Sequence, residues 1–309
     1  MTTPTADPFV HPALFYRGEE EYLHGTVPFV RDGLRAGEPV AVAVPGPNLA
    51  VLRAALGEDA ADVSFLDMTE AGRNPGRIIP KVLHAFADAH PGTRVRIVGE
   101  PIWAGRTSVE YPACVQHEAL INPAFRGRDV TILCPYDAGR LDERVLADAC
   151  ATHPVVISGG TERRSPGYAP EQMIARYNQP LPHPAQADEL VFDADGLPGA
   201  RRFAVERAAR FGLSGIRVED VNLIVAELTT NSVVHGGGSG GLRIWSDGGQ
   251  VVCEVRDRGH LSDPLAGRRP AERGRLGGRG LLMVHYLADL VRIHTDPDGT
   301  AVRCYIGLG

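Results

Sequence analysis

The chain has 309 residues, which is long for one domain and sufficient for two. Its content of 43% hydrophobic and 23% charged residues is typical of a globular protein with a sizeable core. A formal net charge of −6 argues against general binding to nucleic acids or membrane surfaces. The five cysteines are an odd number without a Cys-x-x-Cys pair, so we expect a reduced, cytoplasmic protein. Neither a signal peptide nor an apolar run long enough to span a bilayer is visible.

The first half of the chain alternates between strand-like and helix-like segments. We expect residues 1–10 to form a tail and residues 11–160 to form the first domain. The predicted strands are Val40–Val44, Val63–Leu66, Arg94–Gly99, Val130–Cys134 and Val155–Ile157, and the predicted helices are Leu49–Leu56 and Ile78–Ala89. This alternation is typical of βαβ units, so it predicts an α/β fold with a mostly parallel, doubly wound sheet and helices on both faces.

Residues 161–189 interrupt the alternation. The segment contains five prolines, which exclude one continuous helix. We therefore predict a Pro-rich linker, partly extended, with at most one short helix around Gln172–Tyr177.

The second domain is predicted over residues 190–309. Its predicted helices are Pro198–Phe211, Val218–His235 and Gly280–Leu290, and its predicted strands are Leu190–Phe192, Leu242–Ser246, Val251–Arg256, Leu290–His294 and Ala301–Gly307. Turns rich in Gly and Asp join neighbouring strands, as in β-hairpins. Helices followed by hairpins predict an α+β sandwich, in which one sheet carries helices on one face.

The long helix ending at His235 carries two polar residues of chemical interest. Glu227 and Asn231 are four residues apart and therefore project from one helical face. An Asn amide oxygen suits Mg²⁺, and a Glu one turn away can orient or deprotonate a nucleophile. Taken alone, the pair is explained more simply as the polar surface of a helix.

Two later elements favour a nucleotide site. Asp257-Arg258-Gly259 follows a strand, where an Asp can accept a hydrogen bond from an adenine amino group and a Gly allows a base to approach the backbone. A simple turn would also use these residues. Gly274, Gly277, Gly278 and Gly280 precede a helix, whose first N–H groups can bind phosphate. Each element is weak evidence alone, but their order along the chain indicates a nucleotide site.

The second domain resembles the Bergerat-type ATPase fold of gyrase, heat-shock chaperone ATPases, histidine kinases and MutL. The helix with Glu227 and Asn231 corresponds to the N box, Asp257-Arg258-Gly259 to the first glycine box, and Gly278-Arg279-Gly280-Leu281 to the second. Within that superfamily the segment is similar to the anti-sigma serine kinases of the RsbW and SpoIIAB type. The resemblance implies ATP and Mg²⁺ as cofactors, with Asn231 binding the metal, Glu227 acting as the catalytic base and Asp257 recognising adenine.

The same resemblance implies further nucleotide contacts from His235, Gly259, Gly278, Arg279, Gly280, Leu281 and Thr300. The first glycine box is a departure, because it reads Asp-Arg-Gly-His where many relatives carry more glycine or proline. A lid is expected over Ser262–Gly277, and its arginines could neutralise phosphate charge, although solvated loop charges are the simpler explanation. These arginines are Arg268, Arg269, Arg273 and Arg275. A histidine kinase is not expected, since His183 lies between two prolines rather than on a helical hairpin.

The first domain resembles the MEDS sensory domain, named for methanogen and DcmR sensors. The matching segments are His11–Tyr16, Phe29, Gly33–Glu38, Gly99–Pro101, Cys134–Asp137 and His153–Pro154. The resemblance implies a RecA-like or KaiC-like fold. Pro45-Gly46-Pro47-Asn48 lies where a phosphate loop would follow the first predicted strand, but it lacks Gly-Lys-Ser/Thr. ATP hydrolysis is therefore not expected in this half.

Four residues are candidates for a sensory ligand site, because they lie at or near predicted strand ends, where ligands of parallel sheets bind. They are Glu100, Glu118, Cys134 and Asp137. Stabilisation of loops is the favoured alternative. His117, Glu118 and Cys134 could also ligate a metal, but they have no local spacing signature, so a metal site is not expected.

Together the two resemblances match the RsbA-like anti-sigma regulators. They imply a sensory anti-sigma factor that binds ATP-Mg, sequesters a sigma factor and phosphorylates a Ser or Thr of an anti-anti-sigma (STAS) protein. The alternative is a non-catalytic switch, in which bound ATP shapes a surface for a transcription-regulator partner. The resemblance also implies a homodimer, and we expect no direct contact with nucleic acid or membrane.

Overall fold

The computed structural model describes residues 7–270 and 278–308. The chain divides into two compact units, Met1–Tyr177 and Asn178–Gly309. No helix within the described ranges is both long and apolar enough to cross a bilayer.

The first unit is built on a seven-stranded sheet with the strand order β3-β2-β4-β5-β1-β6-β7. Its strands are β1 (Pro12–Tyr16), β2 (Val40–Val44), β3 (Val63–Asp67), β4 (Val95–Gly99), β5 (Val130–Asp137), β6 (Val155–Ser158) and β7 (Thr161–Arg164). Every neighbouring pair is parallel except the β6–β7 hairpin. The predicted α/β fold with a mostly parallel sheet is confirmed.

The helices of this unit lie between its strands, except the last one, which follows β7. They are α1 (Gly18–Arg35), α2 (Gly46–Leu56), α3 (Met68–Ala71), α4 (Ala85–Asp88), α5 (Tyr111–Phe125), α6 (Glu143–Thr152) and α7 (Pro170–Arg176). A π-helical turn over Ile79–His84 leads directly into α4, so the predicted helix over Ile78–Ala89 is largely present in an irregular form.

Strand β1 was not among the predicted strands, yet it lies at the centre of the sheet between β5 and β6. A proline is tolerated as the first residue of a strand, which is where Pro12 stands. The segment Pro45–Asn48 therefore follows the second strand of the chain and not the first.

The first unit extends to Tyr177, so residues 161–177 of the predicted linker 161–189 belong to that unit. Gly159 and Gly160 both have positive φ values, 55° and 71°, and form the tight turn that folds β7 back onto β6. Pro170 stands in the first turn of α7, where its missing N–H needs no partner. A proline of this stretch can thus begin a helix as well as prevent one.

The second unit contains a five-stranded antiparallel sheet with the order β11-β12-β10-β9-β8. Its strands are β8 (Asp188–Asp193), β9 (Ser239–Asp247), β10 (Gln250–Asp257), β11 (Leu290–Asp296) and β12 (Gly299–Gly307), and its helices are α8 (Leu197–Arg210), α9 (Ile216–His235) and α10 (Gly280–Leu287). Apolar residues of the three helices share one core with alternate residues of the sheet, such as Cys253 and Val255. The predicted α+β fold is confirmed.

The opposite face of this sheet, here called the back face, carries Arg243, Glu254, Arg256 and Arg303. Glu254 is fully buried although it is charged. The proline-containing segment just before β8 lies against this face, since Arg256 donates to the carbonyl of Leu181 and Arg303 to the carbonyl of Pro182. The carbonyls of an extended proline segment are free to accept such bonds because the segment has no internal hydrogen bonds.

Candidate functional site

Helix α9 presents two faces. Its apolar stripe is fully or almost fully buried in the core and consists of Val221, Ile224, Val225 and Leu228. Glu227 and Asn231 lie one turn apart on a partly exposed face, as their spacing predicts. The helix begins after Gly215, whose φ is positive, and ends at Gly236.

Asp257 stands at the end of β10 and is held by two hydrogen bonds. Its Oδ2 accepts from the hydroxyl of Ser232 on α9 at 2.6 Å, and its Oδ1 accepts from the N–H of Gly259 at 2.8 Å. A carboxylate has about four acceptor positions, so both bonds leave capacity for a ligand donor. The carboxylate is therefore fixed in position and remains able to accept from an amino group.

Three glycines allow polar side chains and backbone to approach closely at this site. A Cβ at Gly236 would collide with the Asp257 carboxylate, and one at Gly280 would collide with Oε2 of Glu227. A Cβ at Gly259 would lie 2.7 Å from the carbonyl oxygen of His235. Gly259 and Gly280, one from each predicted box, and Gly236 thus have a steric reason, which is the close contact that each allows between α9 and another part of the site.

A cavity of about 640 Å³ opens between α9, the end of β10, the following loop and the start of α10. Ligand pockets for small molecules are typically about 300–1,000 Å³, so the cavity is large enough for a nucleotide. The predicted residues that line it are Asn231, His235, Asp257, Gly259, Gly278, Gly280, Leu281 and Thr300. Glu227 and Arg279 stand outside this lining set.

Thr300 lies opposite Asp257 in the β10–β12 pairing. Its hydroxyl donates to the carbonyl of Gly259 at 2.8 Å and so supports the turn and not the carboxylate. The direct support of Asp257 comes from Ser232, which the sequence analysis did not single out. Its position beside Asn231 gives no signal of this contact, which forms only when α9 packs against the end of β10.

The arginines of the expected lid differ in their surroundings. Arg268 is buried, with 3% of its surface exposed, so the expectation of a solvated charge is wrong for this residue. Desolvation lowers the pKa of Arg268 to about 10. Arg269 forms an ion pair with Asp263, and both line the cavity. Arg273, Arg275, Gly274 and Gly277 lie outside the described residues.

The start of α10 forms the end of the cavity that is suited to an anion. Gly278 has a φ of 77°, which glycine adopts without strain, and Gly280 begins the helix. The first N–H groups of a helix have no intrahelical acceptor and carry partial positive charge. Together with Asp257 at the other wall, this arrangement suits a ligand that has an amino-substituted base at one end and phosphates at the other.

Glu100 and Asp137, two of the four sensory candidates, lie at the carboxyl ends of β4 and β5. Glu100 is buried and accepts hydrogen bonds from Asn48 at 2.8 Å and from the hydroxyl of Tyr16 at 3.4 Å. Desolvation raises the pKa of Glu100 to about 8, against the lowering effect of these bonds. Asp137 is partly exposed and lies opposite Tyr16 in the sheet.

The other two sensory candidates, Glu118 and Cys134, lie in the interior and contact each other. Sγ of Cys134 is 3.5 Å from Oε2 of Glu118. His11 and His153, which sequence reasoning quoted for the family resemblance but did not name as site residues, complete a group of four. Burial and the neighbouring His153 lower the pKa of His11 to about 4, and burial with the Glu118 carboxylate raises the pKa of the Cys134 thiol. His117 is not part of this group.

Comparison with known proteins identifies both halves. Residues 10–154 match the family model of the MEDS domain, the methanogen/methylotroph, DcmR sensory domain. Residues 190–306 match the model of the histidine kinase-like ATPase domain. The chain therefore carries a MEDS domain followed by a histidine kinase-like ATPase domain, and both predicted resemblances are confirmed. An ATPase domain of this kind is a nucleotide-binding domain.

Two solved structures are similar to part of the chain. The RsbU and RsbW domains of Rv1364c from Mycobacterium tuberculosis are 21% identical with a TM-score of 0.31, over 40% of this chain and 33% of that one. The Acinetobacter baumannii histidine kinase AdeS is 12% identical with a TM-score of 0.25, over 40% of this chain and 69% of that one. The chain thus spans about a third of the length of the Mycobacterium structure. No curated protein matches it.

Proposed function

We propose that this protein is a sensory anti-sigma factor that binds ATP with Mg²⁺, sequesters a sigma factor and phosphorylates a Ser or Thr of an anti-anti-sigma (STAS) protein. The observation that carries the proposal is the cavity of about 640 Å³ lined by both Asn231 and Asp257. It is supported by the order of the three motifs along a histidine kinase-like ATPase domain.

Within this proposal, Asp257 accepts a hydrogen bond from the adenine amino group. Its bonds from Ser232 and from the Gly259 N–H hold the carboxylate in one rotamer, which lowers the entropic cost of nucleotide binding. The phosphates lie at the start of α10, where Gly278 and Gly280 leave room for them.

The residues present also fit a magnesium ion. The Asn231 side chain lines the cavity, and an amide oxygen is a hard ligand of the kind that Mg²⁺ accepts alongside phosphate and water. When bound, the ion would neutralise developing charge on the transferred phosphoryl group. Glu227, one turn earlier on α9, would hold the hydroxyl of the partner's Ser or Thr and accept its proton.

Calorimetry with ATP, GTP and Mg²⁺ on the full-length protein tests the nucleotide site. We expect Asp257→Asn to weaken ATP binding by roughly 10- to 150-fold, the equivalent of losing a charged hydrogen bond of about 1.5–3 kcal/mol. The preference for ATP over GTP should fall with it. The matched control is Asp298→Asn, since Asp298 is exposed on the β11–β12 turn. No binding heat for the folded wild-type protein would refute the site.

Transfer of labelled phosphate from ATP to candidate STAS proteins tests the chemistry. We expect Glu227→Ala to keep ATP binding and to lose phosphoryl transfer, because a base acts on the chemical step. Loss of general-base catalysis typically costs about 10²–10⁴-fold in rate. Glu219→Ala, an exposed position on the same helix, is the control and should leave the rate unchanged. Equal rates in Glu227→Ala and wild type would remove Glu227 from the mechanism.

The position of Glu227 favours a second candidate, a nucleotide-dependent switch without transfer. Its carboxylate abuts Gly280 and stands outside the residues that line the cavity. In that case ATP binding would change sigma-factor affinity, while no STAS protein would become labelled. The two assays together separate the candidates.

We further propose that the protein acts in the cytoplasm as a homodimer and that its MEDS domain controls the ATPase domain. The five cysteines form no disulfide, which suits a reducing compartment.

A signal at the first unit would change partner affinity by a typical coupling of about 1–3 kcal/mol. Sigma-factor affinity measured with and without candidate signals tests this control.

A further inference from the structure

Four side chains from separate elements converge inside the first unit. His11 precedes β1, Glu118 lies on α5, Cys134 lies on β5, and His153 directly follows α6. Each offers one ligand atom, and these atoms all lie within 4.8 Å of one another. All four residues are buried, with at most 1% of the surface of any of them exposed. We call them the His-Glu-Cys-His cluster.

The hydrogen bonds of His11 point its Nε2 lone pair into the cluster. The amide nitrogen of Asn122 donates to the carbonyls of Ala119 and Thr152, so its Oδ1 faces His11. That oxygen, 3.2 Å from Nδ1 of His11, accepts the Nδ1 proton. An imidazole with its proton on Nδ1 has a free lone pair on Nε2.

His153 is arranged in the same way. Its Nδ1 lies 2.9 Å from the carbonyl oxygen of Ala149, which can only accept, and 3.0 Å from the Thr152 hydroxyl, which can give its own proton to the Asp148 carbonyl; this arrangement places the imidazole proton on Nδ1. Its Nε2 faces Oε2 of Glu118 at 3.4 Å. An N–H anchored on a carbonyl or amide oxygen is the common support of a metal-binding histidine, because it fixes both the tautomer and the ring orientation.

Four of the six distances between the ligand atoms fit a tetrahedral ion, and the other two are at most 4.8 Å. Zinc–ligand distances of about 2.0–2.3 Å place tetrahedral ligand atoms roughly 3.3–3.8 Å apart. Oε2 of Glu118 lies 3.3 Å from Nε2 of His11, 3.4 Å from Nε2 of His153 and 3.5 Å from Sγ of Cys134. Sγ of Cys134 lies 3.4 Å from Nε2 of His11.

The charges of the cluster balance with a divalent cation. Binding would release the Cys134 thiol proton to solvent, which leaves one thiolate, one carboxylate and two neutral imidazoles. Their total charge cancels that of a divalent ion, so the buried site is neutral as a whole. Without a cation, two imidazole lone pairs and a carboxylate oxygen would face each other in a place that water does not reach, which is costly.

We propose that His11, Glu118, Cys134 and His153 bind one zinc-type divalent cation in a closed tetrahedral site. The ligand set of imidazole, thiolate and carboxylate is one that zinc uses, and four protein ligands are typical of a structural site. The ion connects β1, β5, α5 and α6, and so ties the centre of the sheet to two of its helices.

Cobalt substitution of the full-length protein tests the site. Protein purified with a chelator and without nucleotide is titrated with Co²⁺ and then with Zn²⁺. We expect intense tetrahedral d–d absorption and a thiolate-to-cobalt charge-transfer band that saturate at one equivalent and disappear when Zn²⁺ displaces Co²⁺. Absence of these bands in folded wild-type protein would mean that the cluster shares a proton and binds no metal ion. That result overturns the proposal.

Variants identify the ligands. Cys134→Ser should abolish the charge-transfer band, and His153→Gln should weaken Co²⁺ binding by at least tenfold. Cys114→Ser is the matched control, because Cys114 is another buried thiol of the same unit, on α5 with Glu118. Its band should equal that of wild type. A band that survives Cys134→Ser, or that disappears in Cys114→Ser, places the cobalt elsewhere and overturns the assignment. The wild-type titration decides the question even where a variant does not fold.

Discussion

Glu254 in the second unit and Glu118 in the first are both fully buried carboxylates, but they differ in what surrounds them. Glu254 accepts from Arg303 at 2.6 Å and from Arg256 at 2.5 Å, and Arg243 lies 3.7 Å away. Glu118 faces two imidazoles and a thiol. One carboxylate has permanent positive charges from its own chain, and the other has groups whose charge depends on a proton or a metal.

This difference separates a structural ion network from a site that can respond to its surroundings. Arginine stays charged at any physiological pH, so the network around Glu254 is the same under all conditions in which the protein is folded. Imidazole and thiol change charge with pH and with metal binding. A buried carboxylate among imidazole and thiol groups is a feature suited to a sensory domain. The ion pairs on the back face of the second sheet are suited to stabilising the fold.

The largest expected effect comes from removing the charge of Glu254. Glu254→Gln leaves Arg303 without its buried partner, and breaking a buried pair costs about 3–5 kcal/mol. We expect the lower end of that range, because Arg243 and Arg256 reach solvent. Denaturant unfolding of the second unit, followed by Trp245 fluorescence, measures the loss. Glu189→Gln is the control, since Glu189 pairs with the same Arg243 at an exposed position and should cost less than about 1 kcal/mol. Equal losses would show that the Glu254 network is not special.

The same contrast explains how much of each site the sequence could predict. The proposed nucleotide cavity is lined by residues that are close in sequence, such as Asn231 and His235 on one helix or Asp257 and Gly259 in one turn, so local patterns can predict it. The His-Glu-Cys-His cluster joins residues 11, 118, 134 and 153, and its spacing exists only after the sheet has formed. Sequence reasoning therefore named Glu118 and Cys134 but missed both histidines.

Other differences between the prediction and the structure also come from contacts that neighbouring residues in the sequence do not show. Arg268 belongs to a loop with many arginines, and nothing in its neighbours distinguishes a buried guanidinium from a solvated one. The short helix predicted around Gln172–Tyr177 is present as α7, which begins at Pro170, but the pairing of β7 with β6 is a contact that the proline pattern does not show. Ser232 is buried against Asp257, a contact between a helix and a strand end that no spacing rule reveals.

A third carboxylate, Glu227, extends the comparison, because no ion pair joins it to another described residue and its Oε2 lies close to a glycine. A Cβ at Gly280 would collide with Oε2 of Glu227, which is the flexible end of a side chain and can move away. We expect Gly280→Ala to fold normally and, at saturating ATP, to transfer phosphate at least tenfold more slowly. General-base loss typically costs about 10²–10⁴-fold, so partial displacement should cost less.

A double-mutant cycle isolates this contact. In the Glu227→Ala background no carboxylate remains for the new methyl group to displace, so Gly280→Ala should add little to the loss of transfer. Independent, multiplicative losses would mean that Gly280 acts on the phosphates and not through Glu227.

The smallest effect, measured as the change in stability per pH unit, concerns Glu100, whose charge depends on a proton. Burial raises the pKa of this carboxyl from 4.5 to about 8, while Asn48, Tyr16 and Asp137 are the polar groups that act on it. In the unfolded chain Glu100 loses its proton near pH 4.5, whereas in the folded protein it keeps the proton until about pH 8. The folded state therefore binds more protons in this window, and the stability of the first unit falls as pH rises through it. The greatest slope from one such group is about 1.4 kcal/mol per pH unit.

Glu100→Gln keeps a neutral hydrogen-bonding group and should remove this slope, so wild type and variant should diverge steadily from the acidic to the alkaline end of the window. Unfolding by urea at several pH values measures the difference, and Glu110→Gln, at a partly exposed position of the same unit, should leave the slope unchanged. Parallel stability curves for wild type and Glu100→Gln would mean that the carboxyl is charged in the folded protein, and that Glu100 resembles the compensated Glu254 instead of depending on a proton.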